Sequence, residues 1–105
     1  MSGLIEQAPA VERVRAQGRP VQARWRIHYQ DAGGALTIRT VLISHVLPRG
    51  EAGQILARCE KAGDERTYRL RRIRQAFDLD RAQRVPDPLQ ALLAQCPVGP
   101  ATAAG

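Results

Sequence analysis

The stretch "RWRIHYQDAGGALTIRTVLIS", Arg24 to Ser44, decides the fold. From Ala23 the chain alternates: Trp25, Ile27 and Tyr29 fall on one side, and Arg24, Arg26, His28 and Gln30 on the other. That is the period of a half-buried strand. Asp31 to Gly34 holds residues that tolerate positive φ, and β-branched and apolar positions resume up to Leu47. Two such runs around a tight turn predict a hairpin. Leu36 and Ile38 share a parity that Val41 and Ile43 lack, which predicts a bulge near Arg39 or Thr40.

Outward from the hairpin, "LPRGEAG" breaks the pattern with proline and glycine, "GQILARCEK" reads as a third strand, and "AGDE" as a second turn. "RTYRLRRI" and "RQAFDLD" supply a fourth and a fifth strand. In "VPDPLQALLAQCP", Asp87 is an N-cap and Pro88 opens a helix with Leu89, Leu92, Leu93 and Cys96 on one face. Near the start, Pro9 and Gly18 bracket a short helix, Ala10 to Gln17, whose narrow apolar face of Val11 and Val14 suits a docked or frayed arm. Five short strands with no β-α alternation predict a mainly β fold, a strongly bent antiparallel sheet or partly closed barrel with helices at its ends. The expected layout is an arm over 1–22, the barrel with its C-terminal helix over 23–96, and a disordered tail over 97–105.

The chain has 105 residues, enough for one domain. A domain of this size buries only about 60 to 65% of its unfolded surface, so its core is thin. A net charge of +6 and a pI near 10.6 favour an anionic partner. Lys61 is the only lysine, so the positive charge is almost all arginine, the better residue for forked phosphate contacts and for stacking. Cys59 and Cys96 form no Cys-x-x-Cys pair and follow no recognisable signal peptide, which points to reduced thiols in the cytoplasm. No apolar run approaches the ~18 residues of a membrane span.

Together, "WRIHYQDAGGALTIRTVLIS", "GQILARC" and "DERTYRLRRI" resemble the WYL domain, a bacterial regulatory module with an Sm-like or SH3-like β-barrel. The resemblance rests on Ile27 and Tyr29, on the Asp31 to Gly34 turn, on Thr37 and Arg39, on Ala57 and Cys59, and on Arg66, Tyr68, Leu70, Arg72 and Ile73. It covers about Arg24 to Leu79, and its closing "RTYRLRRI" is the most specific part. Two features depart from the family pattern. The Trp-Tyr-Leu triplet falls on Gly53, Gln54 and Ile55, and Ile43 replaces a proline after the second strand's arginine. The resemblance implies a five-stranded barrel and a sensor for nucleic acid or nucleotides in transcriptional regulation. Relatives commonly carry a helix-turn-helix domain, and the segment before Arg24 is too short for one. The sensor half is therefore expected to act alone or with a partner in trans.

Strand parity puts Arg66, Tyr68, Leu70 and Arg72 on one side of "RTYRLRRI", with Thr67, Arg69 and Arg71 on the other. Arg66 and Arg72 are the candidates to hold phosphate, with Arg39 assisting and Tyr68 or Tyr29 bordering a base. The competing reading pairs Arg66 or Arg72 with Asp64, Glu65 or Asp78 inside the fold. Arg24 and Arg26 beside Trp25 also suit single-stranded nucleic acid, although a single tryptophan heading an apolar stripe reads first as core. Ser44 and His45 point to opposite faces of a regular strand and form no nucleophile–base pair unless the chain kinks. His28, His45 and Cys59 lack metal-site spacing, Asp78 and Asp80 lack a partner that splits their pKa values, and no cofactor or enzymatic activity is expected. The leucine face of the last helix closes the barrel or forms a homodimer or partner contact. Two functions remain: a regulatory module sensing an anionic ligand, foremost single-stranded nucleic acid or a nucleotide, and a protein-interaction adaptor with no small ligand.

Overall fold

A computed structural model describes residues 2–49 and 53–96, with side chains from Pro9 onward. The expected hairpin forms: β1 (Arg19–Gln30) and β2 (Leu36–Leu47) pair antiparallel across the Asp31 turn. The Asp31 carboxylate builds that turn by accepting from the amides of Gly33 at 2.9 Å and Ala35 at 3.0 Å. Gly34 there takes φ +92°, a conformation that disfavours any side chain.

Four shorter strands follow, β3 (Gln54–Cys59), β4 (Glu65–Arg69), β5 (Ile73–Asp78) and β6 (Gln83–Arg84). The strand order is β4-β3-β2-β1-β5-β6 in one antiparallel sheet. The expected mainly β antiparallel sheet with short helices is present, and the expected five-stranded, partly closed barrel is corrected on two counts: among the described residues there are six strands, and the sheet is open. "RTYRLRRI" is also not one strand, because β4 stops at Arg69 and Leu70–Arg72 form a 3-10 turn.

Chain geometry explains the shape. In a flat sheet four strand spacings would separate β4 from β5, about 19 Å at ~4.8 Å each. The 3-10 turn between them covers only about 6 Å at ~2.0 Å per residue. The sheet must therefore curl until β4 and β5 come close. At this seam a side chain of β1 reaches β4, the Tyr29 hydroxyl accepting from the Arg69 amide at 3.0 Å, while the Leu70 amide prolongs the β3–β4 pairing by donating to Gly53 O at 3.0 Å.

The concave face carries the core. Trp25, Ile27, Val41, Ile43, Ile55, Ala57, Tyr68 and Ala76 are buried there, and Val85 and Leu92 cover one end. Leu92 belongs to α2 (Pro88–Leu93), which starts as expected, with the Asp87 carboxylate accepting from the Gln90 amide at 3.2 Å. On the opposite face, α1 (Ser2–Gln17) packs on β2, β3 and β4. It is longer than the expected Ala10–Gln17 and runs through Pro9. Val14, Leu47 and Leu56 form a second small cluster beneath it, so the arm is docked. The tail 97–105, expected to be disordered, lies outside the described residues.

No bulge occurs at Arg39 or Thr40. Pairing is unbroken from Ala23 opposite Ile43 to Gln30 opposite Leu36. The parity mismatch has a simpler cause: Leu36 and Ile38 are 58% and 63% exposed on the convex face, while Val41 and Ile43 face the core. The real irregularities lie where Val21 and Gln22 oppose Ser44, and between Ile43 and His45 on the β3 side.

Candidate functional site

Register brings the arginines to the concave face. Arg39 sits opposite core residue Ile27, Arg66 opposite Ala57, and Tyr68 opposite Ile55. With Tyr29 and Arg72 they line one cleft of about 390 Å³ at the end away from α2. Arg13 of α1, Arg69, Gln54, Thr37 and Thr67 complete its walls, and Asp31 is the one carboxylate among them. Five arginines against one carboxylate make this a strongly positive concavity.

The internal-pairing alternative is met in part. Arg66 Nε lies 3.8 Å from Asp64 Oδ2, a loose ion pair with both side chains partly exposed. Glu65 instead faces Arg15 and Arg58, and Asp78 faces Arg81. Among the described residues Arg72, Arg39, Arg13 and Arg69 have no carboxylate at ion-pair distance.

The floor of the cleft is aromatic. Tyr29 and Tyr68 meet edge to face, with ring centroids 5.0 Å apart at 87°. Tyr68 is only 2% exposed, and its hydroxyl has no hydrogen-bond partner among the described residues. Burial pushes its phenol pKa up, against the opposing pull of Arg39. Arg39 is steadied by Nε donating to Thr37 Oγ1 at 3.3 Å. Next to it the Cys59 thiol is held below its ordinary range, chiefly by the Ala62 amide, with Arg39 contributing a further hydrogen bond.

The WYL domain model matches residues 17–78. The chain belongs to the WYL domain family. No curated protein and no solved structure matches it. WYL domains are regulatory rather than catalytic modules, and a ligand-sensing role is compatible with membership. In this WYL domain Gln54 is buried in the cleft wall, and Ile55 and Ile43 are buried in the core.

Of the seven residues singled out in the sequence, five converge here and two do not. Arg24 and Arg26 lie on the convex face, where Arg24 Nε donates to Glu60 Oε2 at 2.6 Å. Trp25 between them is a core residue, 1% exposed. The parity expected of "RTYRLRRI" holds within β4, where Arg66 and Tyr68 oppose core residues Ala57 and Ile55, and ends at the 3-10 turn, while Thr67 and Arg69 also border the cleft. β4 is an edge strand and the chain turns immediately after it, so residues of both parities reach the rim.

Sequence reading missed Arg13, Arg69 and Gln54. No period within a strand announces that a helix will lay an arginine over the mouth. Ser44 and His45 meet the exception stated for a kinked chain: the irregularity between Ile43 and His45 brings Ser44 Oγ and His45 Nδ1 to 3.0 Å. Ser44 Oγ is also bonded to Leu56 O at 3.4 Å, and neither residue lines the cleft. Among the described residues no group of three His, Cys, Asp or Glu side chains is arranged for a metal ion, and no helix is long and apolar enough to cross a membrane.

Proposed function

We propose that this WYL domain is a regulatory sensor whose concave cleft binds an anionic ligand, foremost single-stranded nucleic acid or a nucleotide, and passes the bound state to a partner. The convergence of Arg39, Arg66 and Arg72 with Tyr29 and Tyr68 on one cleft carries this reading. Guanidinium forks match phosphate oxygens, and the aromatic floor suits the face or edge of a base. Arg13 and Arg69 extend the positive rim toward a second phosphate.

The test is salt-dependent binding of a fluorescent oligothymidylate followed by anisotropy. With about four phosphates neutralised, at roughly 0.7 decade of affinity per decade of salt for each, affinity falls about 50-fold between about 50 and 200 mM salt. The double variant Arg66→Ala with Arg72→Ala loses about half of that slope. Binding indifferent to salt and to both substitutions removes the proposal.

A second reading rests on Leu36, Ile38 and Leu42, an exposed apolar stripe along the convex side of β2. It supports a protein-contact role, in a homodimer or with a partner in trans. Ile38→Asp then changes the native mass of the assembly, and an unchanged monomer at all concentrations argues against a dimer.

A further inference from the structure

Alternation along β1 gives the sheet a second basic surface on its convex side. Ile27 and Tyr29 face the core, whereas Arg26 and His28 face outward. Outside, Arg26, His28, Arg74, Phe77, Arg84 and Pro86 border a groove of about 420 Å³.

Register orders these side chains. Arg26 of β1 lies directly opposite Phe77 of β5, and Phe77 lies directly opposite Arg84 of β6. Directly opposed side chains start about 5 Å apart, so the ring of Phe77 sits between two guanidinium-bearing neighbours. Phe77 is 36% exposed although it lies in the middle of a three-strand row. Arg74 is the extra residue where the β1–β5 register shifts, and its Nε donates to Gln30 Oε1 at 2.9 Å.

Among the described residues the groove lining contains no carboxylate, and Arg26, Arg74 and Arg84 have none at ion-pair distance. Three guanidinium groups around an exposed ring repel one another until an anion joins them. A second copy of a chain with net charge +6 would bring more arginine to the same place. The aliphatic anchors that a protein partner would use, Leu36, Ile38 and Leu42, lie on β2 and do not line the groove. An aromatic ring flanked by two forks matches the repeat of a polynucleotide, one flat base between two phosphates.

We propose that this convex groove binds single-stranded nucleic acid, with a base stacked on Phe77, the flanking phosphates on Arg26 and Arg84, and the next phosphate on Arg74. The site is separate from the concave cleft and does not depend on it.

The experiment uses a short oligothymidylate carrying one 5-iododeoxyuridine, photocrosslinked to the full chain and mapped by peptide mass spectrometry. A crosslink at Phe77 is expected, and it persists in the concave-cleft variant Arg66→Ala with Arg72→Ala. Phe77→Leu lowers affinity roughly tenfold, within the range for one stacked base. Arg26→Gln with Arg84→Gln flattens the salt slope by about 1.4. Thermal melts of each variant check that the fold is intact.

Crosslinks confined to Tyr29 and Tyr68, or oligonucleotide binding unchanged by the convex-face substitutions, overturn the proposal. So does displacement of the oligonucleotide by polyglutamate of matched charge, which assigns the groove to an acidic protein segment. A Phe77 crosslink that survives while Arg66→Ala with Arg72→Ala has no effect on binding sinks the concave-cleft reading and leaves this one standing.

Discussion

Tyr68 separates stability from function at a single atom. Its hydroxyl is buried and has no hydrogen-bond partner among the described residues, and such a group costs about 1 to 3 kcal/mol when folding strips it of water. Removing it relieves that cost, so Tyr68→Phe is expected to leave the melting temperature unchanged or raise it. If the ligand supplies the missing acceptor, the same substitution weakens oligonucleotide binding. A fall in both stability and binding shows instead that the hydroxyl is satisfied within the fold. The phenol's raised pKa adds a pH dependence with a definite sign. A folded-state pKa above the unfolded value of about 10 favours folding at lower pH, and that stabilisation drains away as pH rises above about 10 toward the folded value. Alkaline unfolding followed by tyrosinate absorbance should shift to higher pH in Tyr68→Phe.

Among the elements, the docking of α1 depends on a close approach at Gly18. A Cβ there would lie 2.5 Å from Val14 O and 3.0 Å from Val46 O, both backbone atoms that cannot swing aside. Gly18→Ala should destabilise by about 1 to 3 kcal/mol, as overpacking does, and lower the melting temperature by several degrees. Because Arg13 reaches the cleft from α1, the variant should also weaken ligand binding. A melt identical to that of the parent would mean that the helix docks less closely. The hairpin, its Asp31 turn and the Asp87 cap were legible in the sequence because each is local: a period of two, a carboxylate reaching amides two to four residues on, a proline in the first helical turn. The length of α1 and the irregularity at Ser44 were not legible, since packing against distant strands sets both. Arg39 stands out in the sequence through the family motif, and ordinary pairing with Ile27, not a bulge, delivers it to the cleft.

For the whole molecule, family and sheet class were readable, whereas strand number and closure were not. β6 is two residues long, too short to leave a pattern, and the 3-10 turn looks in sequence like more strand. What decides closure is the distance left between β4 and β5 after the sheet has curled, a global quantity with no local signature. That seam has a further consequence. A ladder would lock β4 and β5 together through many bonds, but here the hydroxyl of Tyr29, on β1, latches onto one amide at the end of β4. A single net hydrogen bond is worth about 1 kcal/mol, so the latch can open in the native state without unfolding the domain. The Arg69 amide thereby becomes an internal gauge of whether the cleft wall is shut. In hydrogen exchange it should be protected less than the amides of the β1–β2 ladder, speed up in Tyr29→Phe, and slow when the concave cleft is filled. Exchange at Arg69 as slow as in the ladder would show that the wall does not breathe.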